Sequence, residues 1–385
     1  MNRYSSWLFR CVLLTLIGLS PALALAQDTP TAQPPAAESA QPQAQQAPTL
    51  ADLTIPQLME LADRAREAKD FTAAINILNF VRQRESGQSN LDVTRMLGDI
   101  AYDMRNAEDA QKYWLQVRRV QPGDFGANWG LGRLELDSGQ PRNAVAYLET
   151  AERVIPSDKA KLAPKVLIKL AQAYGGAGLR TQAVSAAERA LRLDQNDLEG
   201  WYVLTKLRAE MARTTDDFDK ALGDADRLIA ISDAGIKNQG ISPATVQQMQ
   251  IAYQLKLSVL YAFREILFER NPDGKISDRV VAGQGPLVAR VLNSAVDVML
   301  QQAELDRLTN YFNITNLANE VVKYDGGTNA TTLMRLANLQ VTTGQYSEAM
   351  KAYQKVLEID PTNMEAQRQL DALKAQFQPA PPPTP

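Results

Sequence analysis

A pattern that returns about every 34 residues governs what this chain can fold into. The copy near the end shows it most plainly: Leu333, Leu336 and Ala337, then Gly344-Gln345-Tyr346, Ala349, Tyr353, Val356-Leu357 and Asp360-Pro361. Apolar and small residues recur three and four apart in each half, the spacing of an amphipathic helix. Gly344 supplies a turn between two helices, and Pro361 cannot continue the second one. The same order recurs at 125–158 (Trp129, Leu131-Gly132, Gly139, Ala144, Leu148, Ala151, Pro156) and at 91–124 (Leu97-Gly98, Ala110, Trp114, Val117, Pro122). Pro122 and Pro156 stand 34 positions apart.

Further copies follow with small departures. At 164–197 the order is Leu167, Leu170-Ala171, Tyr174, Gly178, Ala183, Ala187, Ala190-Leu191 and Asp194, after five additional residues, Lys159 to Ala163. At 55–88 it is Leu58, Leu61-Ala62, Ala65, Phe71, Ala74, Leu78 and Val81. Another pair begins near Leu198 with Trp201, Leu204 and Leu207, then takes extra residues around Ala212 to Thr215 before Phe218, Ala221, Ala225 and Leu228. From about 236 to 329 the pattern fades. A hairpin of 243–270 with 279–300, then a helix at 303–325, fits there, with Pro243 and Pro286 in first turns. A small inserted helical domain is the alternative.

These residues resemble the tetratricopeptide-repeat (TPR) family, whose signature is a large residue, Leu-Gly, Tyr, Ala, an aromatic, Ala and Pro at set offsets. The resemblance implies an all-α fold, a right-handed superhelix of stacked antiparallel helix pairs. It puts Gly98, Gly132 and Ala171 where a first helix closely approaches its second. The expected organisation is TPR repeats over 49–235, divergent helical pairs over 236–329, and a last repeat with a capping helix over 330–377.

The ends read differently. Arg3 and Arg10 precede the short apolar run Cys11 to Leu19, followed by Pro21 and Ala24-Leu25-Ala26. This is the layout of a cleaved signal peptide over 1–26, with Gln27 the first mature residue. The apolar run is too short to span a bilayer, and Arg10 before Cys11 does not suit a lipid anchor. The expected location is periplasmic or secreted, with no membrane span in the mature chain. Residues 27–48 are rich in Pro, Ala and Gln and read as a flexible linker, and 378–385 as a Pro-rich tail.

In this family the first helix of each pair lines a face that binds a protein or peptide ligand. Carrying the family's positions over places Arg95, Asp99 and Tyr102, then Trp129 and Arg133, then Lys165, Ile168 and Gln172, then Tyr202 and Lys206 on that face. Aromatic residues mixed with Arg suit interface hot spots. Trp129 and Tyr202 have a second reading, as packing between neighbouring repeats. The Lys and Asn clamp of chaperone-binding relatives is not recognisable, because Asp99 and Arg133 occupy its offsets.

Composition limits the chemistry. Histidine is absent and Cys11 is the lone cysteine, so the commonest base, thiol and transition-metal ligands are missing from the mature chain. Acids number 44 and bases 41, and losing Arg3 and Arg10 widens the gap, against a nucleic-acid partner. Gly175-Gly176-Ala177-Gly178 lacks the Lys-Ser/Thr pair of a phosphate loop and falls where the repeat turns. No catalytic residue and no cofactor is expected. One loop, Glu269, Asn271, Asp273 and Ser277 with Gly274 and Ile276, resembles part of an EF-hand calcium loop, but Val280 stands where the bidentate acid belongs. A turn is the plainer reading. The expected function is an exported scaffold or adaptor. An enzyme or its subunit working through 236–329, and a calcium-responsive structural protein, are the alternatives.

Overall fold

The structure, a computed structural model, describes residues 49–84, 90–305 and 310–377. The expected signal peptide, linker and Pro-rich tail lie outside them. The chain divides into two compact units, one ending at Asp52 and the other beginning at Leu53. The first contributes one described turn, Leu50–Asp52, in which the Asp52 carboxylate accepts from the Thr49 amide and hydroxyl.

The second unit carries sixteen α-helices among the described residues. Five pairs come first: α1 (Ile55–Glu67) with α2 (Phe71–Arg84), α3 (Leu91–Asp103) with α4 (Ala107–Val120), α5 (Phe125–Asp137) with α6 (Pro141–Arg153), α7 (Ala163–Gly176) with α8 (Arg180–Leu193), and α9 (Leu198–Met211) with α10 (Thr215–Gln239). Of the five additional residues, Lys159 to Leu162 lie in a 3₁₀ turn, Ser157–Leu162, and Ala163 begins α7. Each helix packs on the next in sequence, and the first helices α1, α3, α5, α7 and α9 also touch one another in series.

Local chemistry fixes where the helices start and turn. Side-chain oxygens of Asn90, Asn106, Asp124 and Asp197 accept amide hydrogens in the first turns of α3, α4, α5 and α9. Within the pairs the turn passes through one left-handed residue: Lys69, Arg105, Gly139 and Gly178 in the first four, and Gly344 near the end. The sequence marked only the glycines, although the same conformation is imposed on Lys69 and Arg105.

Packing depends on missing side chains. A Cβ on Gly98 of α3 would lie 2.7 Å from the Trp114 ring, and one on Gly132 of α5 would lie 2.5 Å from Leu148. These are the close approaches within pairs that the motif implied. Gly130 makes one more: a Cβ there would stand 2.3 Å from the same Trp114 ring. Fully buried Trp114 is therefore wedged between the first helices of two successive pairs.

Beyond α10 the period breaks. α10 has 25 residues against 14 in α8, and α11 (Pro243–Ile266) has 24. Thr214 and Ser242, each closing a reciprocal cap with the residue three further on, start these helices. The expected pairing of 243–270 with 279–300 holds, since the two helices that fall there pack on each other, but its bounds are corrected. Helix α11 ends at Ile266, and an antiparallel hairpin, β1 (Phe268–Arg270) with β2 (Ile276–Val280), precedes α12 (Gly285–Leu305). Pro272 lacks an amide hydrogen, Gly274 takes a positive φ, and Ile276, Val280 and Val281 favour extended backbone. Phe268 anchors the hairpin edge-on to Tyr324 of α13 (Tyr311–Tyr324), at 5.9 Å between ring centres. Three helices and a hairpin thus precede the last repeat, α14 (Ala330–Thr342) with α15 (Tyr346–Ile359), which α16 (Met364–Phe377) covers. Among the described residues no helix is long and apolar enough to cross a membrane.

Gly130 gives a test of sign. An exposed helical Gly→Ala change stabilises by about 1 kcal/mol. Here the ring cannot retreat, so overpacking of about 1–3 kcal/mol wins. Gly130→Ala should lower the urea unfolding midpoint; a raised midpoint would show that the Trp114 contact is not tight.

Candidate partner-binding face

The first helices present a continuous row, and the candidate residues fall on it in two groups. At the junction of α3 and α5, Trp114 donates its Nε1 hydrogen to Asp99 Oδ1 at 3.2 Å. Arg66 of α1 reaches Asp103 at 2.6 Å and Asp99 at 3.6 Å. Burial pushes the Asp99 carboxyl above its ordinary range, although Arg66 and Arg133 pull it down. The Tyr102 phenol donates to Asp137, and burial together with that bond pushes its pKa up to about 12. Arg133 lies against two rings: its guanidinium carbon is 4.6 Å from the centre of Tyr102 and 5.0 Å from Trp129. Such stacking orients a guanidinium and keeps it available for an anion or a carbonyl. Asp99, Tyr102, Trp129 and Arg133 therefore form one cluster, and Trp129 is half-buried while doing so.

Arg95 stands apart from that cluster. Its guanidinium grips Asp124 with Nε at 2.9 Å and Nη2 at 2.7 Å, and Asp124 is itself the cap of α5. The bond ties the start of α3 to the start of α5, so Arg95 holds repeats in register and is not offered to a partner. Ile168 also leaves the candidate set: it is buried in the core between α7, α8 and α9.

The second group lies on α7 and α9. The Glu199 carboxylate accepts from Lys169 Nζ at 2.7 Å and from Gln172 Nε2 at 2.8 Å. Lys165 and Lys206 are exposed, one helical turn from Lys169 and from Tyr202 respectively. Tyr202 is half-buried and lines a cavity of about 580 Å³. Leu198 and Glu199 of α9, Leu228 and Ser232 of α10, and Gln248, Ile251, Gln254, Leu255 and Ser258 of α11 complete its walls, which are mainly apolar. The α11 residues escaped sequence reasoning, because no repeat motif extends there to carry a position over. Their signal is an uncharged stripe at helical spacing.

The calcium candidates are corrected. Glu269 is in β1, Ser277 in β2, and Asn271 and Asp273 in the connecting turn, not in a loop between two helices. The Asp273 carboxylate accepts the Lys275 amide at 3.0 Å and pairs with the Lys275 ammonium at 3.2 Å. Among the described residues no three acidic side chains gather as a metal would need.

Comparison with known proteins agrees with the repeats. Tetratricopeptide repeat models match residues 95–159, 164–197 and 330–363. No curated protein matches the chain. Similar solved structures include a tetratricopeptide repeat protein from Parabacteroides merdae, 10% identical, covering 83% of this chain and 98% of that one at a TM-score of 0.41. Another is the C-terminal part of a TPR repeat-containing protein from Cytophaga hutchinsonii, 14% identical, covering 81% and 99% at 0.42. A third is MamA from Desulfovibrio magneticus RS-1, 16% identical, covering 46% and 95% at 0.40.

Asp99 yields a pH test. Its folded-state pKa is raised, so its ionised form opposes folding. That penalty is absent below the ordinary carboxylate range and complete above the raised value. Asp99→Asn keeps the acceptor for Trp114 and should be more stable than wild type at neutral pH, with the difference vanishing in acid. Melting curves across pH check this; a variant less stable at neutral pH would show that the pair with Arg66 dominates.

Proposed function

We propose that this tetratricopeptide-repeat protein is a scaffold that holds a partner polypeptide along its row of first helices. The observation that carries the reading is the Tyr102–Arg133–Trp129 cluster. A guanidinium held between rings loses little freedom on binding, and Trp, Tyr and Arg dominate interface energies. A row of helices that touch in series gives an extended polypeptide many contacts in sequence. The half-buried phenols of Tyr102 and Tyr174 are each pushed up to about 12, so they serve as donors, not as bases.

The double variant Trp129→Ala with Arg133→Ala tests this. Both residues are only half-buried, so helical circular dichroism should be retained. Proteins captured specifically by the wild-type chain should then be lost or reduced at least tenfold. An unchanged set would place binding elsewhere.

The cell envelope is the location we propose for this scaffold. Its support is sequence alone: a short apolar run between Arg10 and Ala24-Leu25-Ala26. Expression in a Gram-negative host followed by N-terminal sequencing should give a periplasmic product starting at Gln27. A cytoplasmic product retaining Met1 would overturn the location without touching the scaffold reading.

A further inference from the structure

The cavity between α9, α10 and α11 is made by the break in the repeat period. Helix α10 is eleven residues longer than α8, so the α10–α11 hairpin projects about 16 Å beyond the regular stack. Its base faces the first turns of α9, and the cavity opens there. A regular pair of 14-residue helices has no such wall.

The lining is specific in kind. Leu198, Leu228, Ile251 and Leu255 supply apolar surface, and Ile251 remains 43% exposed. Gln248 and Gln254 sit among them with no hydrogen bond from either side-chain amide among the described residues. Free carboxamides beside apolar surface match a polypeptide backbone, since each offers both a donor and an acceptor to a peptide group. From Gln248 to Ser258 the wall runs about 15 Å, which an extended chain covers in about five residues. Charge sets the flanks. Glu199 is already paired with Lys169 and accepts a hydrogen bond from Gln172. Lys206 lies one turn from Tyr202 in the cavity wall, and Lys165 one turn from Lys169, which holds Glu199; both are exposed and without an acid within ion-pair distance among the described residues.

We propose that this cavity is a docking site for an extended partner segment with a central aliphatic side chain and flanking acidic residues. The aliphatic group enters between Leu228 and Ile251, Gln248 and Gln254 hydrogen-bond the segment's backbone, and Lys165 and Lys206 meet its acids. The inference rests on the scaffold reading and specifies one part of the same face.

The test uses the full chain and two dye-labelled pentapeptides, Glu-Thr-Leu-Thr-Glu and Lys-Thr-Leu-Thr-Lys, followed by fluorescence anisotropy. The acidic probe should bind at least tenfold more tightly than the basic one. Ile251→Asp, at an exposed position that leaves folding intact, should weaken the acidic probe at least tenfold. Lys165→Glu with Lys206→Glu should reverse the preference. Equal binding of the two probes, or an Ile251→Asp variant that binds as wild type, overturns the proposal. Should Trp129→Ala with Arg133→Ala abolish partner capture while Ile251→Asp leaves capture and probe binding unchanged, the scaffold reading stands and this site fails.

Discussion

Close approach of helices at positions without a side chain sets the geometry of the whole array. Trp114 fills the space that Gly98 and Gly130 leave, one in its own repeat and one in the next. Leu148 fills the space at Gly132 within its own repeat. A short helix pair buries too little apolar surface to be stable by itself, so each repeat depends on the ring or branched chain its neighbour inserts. Polar bonds follow the same route: Arg66 to Asp99 and Asp103, Arg95 to Asp124, and Lys169 to Glu199 all link a first helix to the next repeat.

That arrangement explains why the binding face and the packing share residues. Asp99 receives the Trp114 hydrogen and lies near Arg133, while Tyr102 packs tilted against Trp114 at 5.7 Å and carries Arg133 on its ring. The half-buried cluster rests on the buried Trp114 wedge through Asp99 and Tyr102. Where the repeat lengthens at α10 and α11, the tight row gives way and a cavity opens instead. Regular repeats thus provide a stiff row, and the irregular segment provides a recess.

Much of this was readable from the sequence, and the failures share a cause. Gly98 and Gly132 were legible because each glycine and its partner side chain belong to one copy of the motif. Gly130 was not, because its partner Trp114 comes from the preceding copy. Arg95 looked available because its acid, Asp124, lies 29 positions on, at the cap of the first helix of the next pair. The hairpin after α11 was missed because Asn271-Pro272-Asp273-Gly274 fits a turn between helices as well as one between strands. Packing of Phe268 against Tyr324 and Arg264 favours the strands. The α11 wall of the cavity had no motif offset to reveal it.

Hydrogen exchange on Trp114→Phe compared with wild type tests most directly whether repeats share their core through keyed side chains. The smaller ring leaves space at both glycines at once. Amide protection should fall together in α3 and α5, which belong to different repeats, while α14 and α15 keep theirs. Protection lost in α3 and α4 alone, with α5 unchanged, would mean that each pair is stable by itself and would contradict the account.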